Sequence, residues 1–196
     1  MPMSDCTDIS KADISPEIVE ALNHQILQAK QASLQMAVLS ASDKDLALEL
    51  IERELRESIN YVLEANRQDL ENPENADLTT ALRDRLILNP ERIMSMATSI
   101  RKIINMHDPV GNVLEGWMHP NGMRITKVRV PLGVIGIIYE ARPNVTTDAI
   151  ALAIKSGNAV VLRGSRQAWY TNKAIMDVVT RALKQTKVPL AGVQYL

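Results

Sequence analysis

The chain has 196 residues, 46% hydrophobic and 23% charged, enough for one domain or two small ones with a buried core. No run of about 18 apolar residues occurs, which excludes a membrane helix, and the polar, acidic N-terminus is unlike a secretory signal. A single cysteine, Cys6, excludes an internal disulfide and points to a reducing, cytoplasmic compartment. With only His24, His107 and His119 beside it, no metal site is expected.

The net charge of -1 hides a split. Residues 1–123 carry 11 Lys/Arg against 20 Asp/Glu, and residues 124–196 carry 11 against 3. The basic part either meets anions or neutralises the acidic part across an interface. Nucleic acid is not expected as a partner, because the basic residues are not interleaved with aromatics. All eight glycines lie at or after Gly111, so the first 110 residues read as helical.

Residues 1–14 read as a flexible tail, and 15–110 as a helical part. Ser15-Pro16-Glu17 starts a helix that runs to about Leu39, with a capping hydroxyl and Pro at the first helical position. Ser42 with Asp45 resembles a capping box. It opens one helix carrying Leu46, Leu50, Ile51, Leu55, Ile59, Val62 and Leu63 on an apolar face. Glu49, Glu52, Arg53 and Arg56 form i,i+4 pairs on the other face, read as solvated. After the break at Asn72-Pro73, a short helix covers about Thr79 to Arg85. Asn89-Pro90-Glu91 then starts another, whose methionines read as core filler. Residues 111–130 read as a β-hairpin, Val113 to Met118 and Met123 to Val130, turning at the Asn121-Gly122 signal.

From residue 131 the pattern alternates β and α. Val134 to Tyr139 reads as a buried strand. A helix over Thr146 to Ser156 follows, with Ala149, Ile150, Leu152, Ala153 and Ile154 on its packing side. Ala159 to Arg163 is a second strand. Asn172 to Lys184 lies within another helix, and Val193 to Leu196 opens a third strand. The fold class is therefore α/β: a helical part, a hairpin arm, then the start of a parallel, Rossmann-like cofactor sheet over 131–196. Polar groups at the carboxyl ends of such strands lie where these sheets hold ligands. Gly133 and Gly136 form only G-x-x-G, a weak signal, and Lys155 reads as a helix-end cation.

Four segments carry a resemblance: EANRQDL (64–70), RDRLILNPERI (83–93), DPVGNVLEGWMHPNGMRITKVRVPLGVIGIIYEARPNVTTDA (108–149) and KSGNAVVLRGS (155–165). Together they resemble the gamma-glutamyl phosphate reductases of the aldehyde dehydrogenase superfamily. YEARPNVT is the specific part. The resemblance covers about Ser15 to Leu196 and implies an N-terminal portion of such an enzyme. It implies NADPH-dependent reduction of L-glutamate 5-phosphate to the 5-semialdehyde in proline biosynthesis, through attack by a cysteine thiolate. The family nucleophile falls beyond Leu196, and Cys6 lies outside the matched region. The catalytic domain is therefore expected to be absent from this chain, which by itself would be inactive. The implied partners are the substrate, glutamate 5-kinase, and further copies of the full-length chain, joined through the hairpin.

The resemblance also assigns residues. Asn144 stands at the oxyanion-stabilising asparagine, the alternative being an Asn that merely shapes the loop. Arg142 would hold a substrate carboxylate or phosphate, or else pair with Glu140. Arg163, Gly164, Ser165 and Arg166 stand at the cofactor position. Arg166 occupies the place where NAD-preferring relatives often carry an acid, which favours NADPH; the alternative is a solvated charge opening the next helix. Ser165 replaces a more usual glycine; it would cap that helix and bond a phosphate, or else crowd the close approach of the cofactor. Two other readings stay open: another aldehyde or acyl-phosphate dehydrogenase, and a non-catalytic binding or oligomerisation module.

Overall fold

A computed structural model describes residues 15–196. The readings of a flexible tail over 1–14 and of Cys6 as a bystander fall outside the described residues. The helical part contains α1 (Pro16–Met36), α2 (Ala41–Glu57), α3 (Ile59–Glu71), α4 (Thr80–Leu86) and α5 (Pro90–Ile104). A hairpin follows, β1 (Val113–Met118) and β2 (Arg124–Val128). The chain then runs β3 (Val134–Ile138), α6 (Pro143–Lys155), β4 (Ala159–Arg163), α7 (Trp169–Leu183) and β5 (Val193–Tyr195). Strands β3, β4 and β5 form a parallel sheet in that order, so β3 lies at one edge.

The expected helix starts hold at Ser15, whose hydroxyl accepts from the Ile18 N–H, and at Asn89, which accepts from Arg92 N–H at 2.7 Å. The second start differs. Ser40, not Ser42, caps α2, accepting from Asp43 N–H at 3.1 Å and donating to the Asp43 carboxylate at 2.7 Å. The Ser-x-x-Asp spacing is the same, two residues earlier. The single helix expected from Leu46 to Leu63 is two. It breaks at Ser58 (φ -101°, ψ 17°), where the chain turns so that both α2 and α3 can pack on α7.

Nor is the charged face of α2 uniformly solvated. Glu52 is 5% exposed and pairs with Arg56 and with Arg101 of α5, while Glu49 pairs with Arg101 rather than Arg53. Leu46 is exposed instead. Of the α5 methionines, Met96 is buried but Met94 is exposed, its sulfur accepting from Arg56 at 3.4 Å. Lys155 is not a surface helix-end cation. It is buried, donating to Asp45 at 2.6 Å and to the Ile104 carbonyl at 2.8 Å, and so ties α6 to α2 and α5. Lys44, also buried, pairs with Asp108. Burial raises the Asp108 carboxyl pKa, but the Lys44 ammonium and the Val110 N–H outweigh it and hold it below the usual range.

One buried core joins the helical part to the βα part. Met36, Leu48, Ile51, Leu55 and Ile100 meet Ile150, Ile154, Leu162, Ile175 and Val178. Strand β4 is buried along its apolar length. Strand β3 is present as expected but is not buried: Val134, Gly136 and Ile138 face out, and Ile138 is 87% exposed. An edge strand is covered on fewer sides, and here α1 leaves a groove of about 520 Å³ lined by Leu22, Ile26, Val134, Ile138 and Val161. Helix α6 starts at Pro143, three residues before the expected Thr146, and Leu152 lies on its exposed side. The hairpin has the expected strands and Gly122 at φ +87°, with every β1 residue exposed.

Candidate functional site

The turn from β3 into α6 builds an open helix N-terminus. Arg142 precedes a proline, which disfavours helical geometry there; it is extended at φ -134°, ψ 91°. Pro143, at the first helical position, has no N–H to satisfy. No side chain caps α6; the Val145 N–H closes onto the Arg142 carbonyl at 3.0 Å, and the Asn144 N–H has no partner among the described residues. Arg142 and Asn144 are both exposed at this end.

These residues line a cleft of about 320 Å³ between the α4–α5 region and α6, with Arg85, Arg92, Ser95 and Asp148 on its other sides. Its volume suits a small metabolite. Glu140 does not pair with Arg142: it lies 3.7 Å from Arg85. Arg92 pairs with Asp84 at 2.9 Å and donates to the Ile87 carbonyl at 2.7 Å. Among the described residues Arg142 has no carboxylate within ion-pairing distance, and Asp148 has no cation. Burial pushes the half-buried Asp148 carboxyl above its ordinary pKa, with the Asn144 side chain opposing the rise.

Arg163, the last residue of β4, and the three residues after it lie elsewhere. Arg163 lines the apolar groove beside β3 and donates to the Leu196 backbone oxygen at 3.2 Å. Gly164 is enclosed: a Cβ there would come within 2.5 Å of the Asn172 amide nitrogen and 2.7 Å of the Tyr195 hydroxyl. Packing alone accounts for that glycine. Ser165 caps no helix. Its Oγ is buried and has no hydrogen-bond partner among the described residues. Arg166 is exposed at the start of a short 3-10 turn, with no carboxylate partner among the described residues. The structure thus brings Arg142 and Asn144 into one cleft and leaves Arg163–Arg166 outside it.

An NADP-type cofactor can be tested against this second group. An orphaned buried hydroxyl beside one half-buried and one exposed guanidinium suits a phosphate, which accepts hydrogen bonds and carries negative charge. The residues present fit the group.

Sequence reasoning missed two further sets. Asp148 lies one turn after Asn144 on the same helical face, a spacing legible in the sequence. The second set is structural. Asp69 is fully buried and accepts from Tyr170 N–H at 3.0 Å, Thr171 N–H at 2.8 Å and the Thr171 hydroxyl at 2.5 Å, capping α7 from α3. Burial holds its carboxyl above the usual range, partly offset by those donors. Asn66 donates to the Leu86 carbonyl at 2.9 Å and to Thr171 at 3.1 Å, and accepts from Leu88 N–H at 2.8 Å. Next to it a chain runs from Tyr139 through Thr146 and Asn172 to Tyr195, with links of 2.6, 2.7 and 3.2 Å. Burial pushes the Tyr139 hydroxyl up to about 12.

Helices on a parallel sheet, with a preceding helical part and a hairpin, define an aldehyde dehydrogenase-like α/β fold. An acetylating aldehyde dehydrogenase from Geobacillus thermoglucosidasius shares it at 14% identity with a TM-score of 0.68, over 91% of this chain and 37% of that one. More specifically, the chain is homologous to gamma-glutamyl phosphate reductases. The one from Anoxybacillus flavithermus is 45% identical over 167 residues, 85% of this chain and 40% of the relative, and that from Serratia proteamaculans is 46% identical over 166 residues. The crystal structure of the Thermotoga maritima reductase superposes with a TM-score of 0.86 at 39% identity, covering 89% of this chain and 42% of that one. No family model matches the chain. The resemblance read from the sequence is borne out, and the chain spans about two fifths of the length of the curated relatives it matches. No described helix is long and apolar enough to cross a membrane.

Proposed function

We propose that residues 15–196 form the cofactor-side part of a gamma-glutamyl phosphate reductase, acting in the cytoplasm in proline biosynthesis. The reaction is reduction of L-glutamate 5-phosphate to the 5-semialdehyde with release of phosphate. The observation that carries this reading is the α6 N-terminus without a side-chain cap, where Arg142, with no carboxylate partner among the described residues, and Asn144, beside Asp148, face a metabolite-sized cleft. Arg142 meets the acyl phosphate as a charge-assisted donor. The Asn144 side-chain N–H donates to the oxygen that gains negative charge as the acyl carbon is attacked. Residues 15–196 hold no cysteine to supply the attacking thiolate, so this part by itself would not turn over.

NADPH, when bound, supplies the hydride. Arg163, Ser165 and Arg166 would hold its adenosine 2′-phosphate, and the Arg166 cation would favour NADPH over NADH, which has no such phosphate. Gly164 keeps the loop seated on Tyr195 and Asn172. We further propose that the full-length chain assembles through the hairpin, with glutamate 5-kinase as a partner.

The test is NADPH oxidation with L-glutamate 5-phosphate. The full-length protein should be active and 1–196 inactive; robust turnover by 1–196 would sink the division of labour. In the full-length protein, Arg166→Glu should weaken NADPH more than NADH. Equal loss with both cofactors contradicts the 2′-phosphate role.

A further inference from the structure

Helix α6 presents three polar residues to the cleft in order: Arg142, Asn144 and Asp148. The first two are accounted for above. Asp148 is not. It is half-buried, which disfavours its charged form, yet no lysine or arginine among the described residues lies within ion-pairing distance of it. The other carboxylate in the cleft, Asp84, already holds Arg92 at 2.9 Å. Asp148 is therefore the one carboxylate lining the cleft, among the described residues, that awaits a cation. Its one side-chain partner is the neutral Asn144 amide, and a half-buried carboxylate in a cleft with no cation is a place where a ligand completes the pairing.

We infer that Asp148 is a specificity-determining residue, receiving the ammonium group of an amino-acid substrate whose acyl group lies against Asn144. The inference rests on the reading of this cleft as the substrate site. Spacing supports it. Asn144 and Asp148 are four residues apart, about 6 Å along the helix axis and on the same face. A glutamyl chain has three carbons between its reacting carbonyl and its amino nitrogen, a length that reaches from one residue to the other. Arg142 lies on the opposite side of Asn144 from Asp148. Phosphate, acyl carbon and ammonium then follow the same order along the substrate as Arg142, Asn144 and Asp148 follow along α6.

The competing role for Asp148 is structural: accepting from the Asn144 side chain, it steadies the first turn of α6. The two roles part on substrate choice. A structural role treats all substrates alike. An ammonium-binding role separates substrates that differ only in the amino group.

The experiment uses the full-length protein in the oxidative direction, with NADP+ and phosphate, and follows NADPH formation. Two aldehydes are compared: glutamate 5-semialdehyde and 5-oxopentanoate, which lacks the amino group. Asp148→Asn should lower kcat/KM for the amino substrate about 30-fold, chiefly through KM, and change it less than about 3-fold for 5-oxopentanoate. Cyclisation of the amino substrate is the same for both proteins and cancels in the ratio. Equal loss on both substrates overturns the inference. Inhibition of the wild-type protein is a second arm that needs no variant. L-Glutamate should inhibit at least about 10-fold more tightly than glutarate, and equal inhibition overturns the inference as well. Turnover without amino preference sinks Asp148 alone, whereas absence of turnover with either aldehyde sinks the proposed function and this inference with it.

Discussion

Two segments that both carry the homology behave in opposite ways. In residues 64–70, Asn66 and Asp69 are buried, and each makes three hydrogen bonds that join α3 to the α4–α5 linker and to the α7 N-terminus. In residues 139–148, Arg142 and Asn144 are exposed at an uncapped helix end, and Asp148 has no cationic partner among the described residues. As strings of polar letters the two segments look alike. What separates them is unsatisfied bonding capacity: Asn66 and Asp69 are fully paired within the fold, whereas Arg142 has no carboxylate and Asp148 no cation among the described residues. This difference predicts which substitutions cost activity and which cost stability.

The largest effect is expected on catalysis. In the full-length protein, Asn144→Ala should lower kcat by a factor of about 10² to 10³, the usual loss for one oxyanion donor, with an unchanged melting temperature. A kcat within about 3-fold of wild type would reduce Asn144 to a loop-shaping residue. The mirror-image substitution is Asp69→Ala. It leaves two N–H groups and a hydroxyl buried without an acceptor and should cost about 3 kcal/mol in urea unfolding. A loss under about 1 kcal/mol would mean that water replaces the carboxylate, and the contrast between the segments would weaken.

The sequence made the fold legible where one rule acted locally. Caps at Ser15 and Asn89, the hairpin turn at Asn121-Gly122 and the β4 run were all readable, because each depends on neighbours within a few residues. Tertiary pairing was not readable. Glu52 and Lys155 have the pattern of surface charges, yet both are buried, because their partners Arg101 and Asp45 lie about 50 and 110 positions away. The break at Ser58 has no glycine or proline to announce it. Within the site, Arg142 and Asn144 were reached through homology, whereas Asp148 needed the cleft to show that it is open. The loop after β4 mixes both kinds: Gly164 serves packing, and the Ser165 hydroxyl is unsatisfied.

Gly164 sharpens the comparison because it sits between the two kinds of residue. Gly164→Ala places a methyl group within 2.5 Å of the Asn172 amide and 2.7 Å of the Tyr195 hydroxyl. Both groups belong to the Tyr139–Thr146–Asn172–Tyr195 chain, so the variant should lose about 1–3 kcal/mol of stability by urea unfolding. A variant of full stability but weakened NADPH binding would move Gly164 to the ligand side. The same chain gives a pH effect. The Tyr139 pKa is raised by burial to about 12 from an ordinary value of 10.0. The unfolded state therefore ionises first. The contribution is fully present below pH 10 and is lost as pH rises toward about 12, by at most about 2–3 kcal/mol. Tyr139→Phe should flatten the stability profile in that window; an unchanged slope would assign alkaline unfolding to other groups.

The smallest expected change is the most discriminating. Arg142→Ala removes a guanidinium that is exposed and has no carboxylate partner among the described residues. Stability should stay within about 0.5 kcal/mol of wild type, as for surface substitutions without partners. Activity of the full-length protein should nevertheless fall through loss of its charge-assisted contact to the acyl phosphate. Arg85 offers the control. It is equally exposed in the same cleft but faces Glu140 at 3.7 Å, a long surface pair of small worth. If Arg142→Ala and Arg85→Ala lowered activity alike, the cleft would act through its summed positive charge. If Arg142→Ala destabilised the fold by more than about 1 kcal/mol, its guanidinium would have a structural partner after all. Only activity loss confined to Arg142, at constant stability, matches an arginine held open for a ligand.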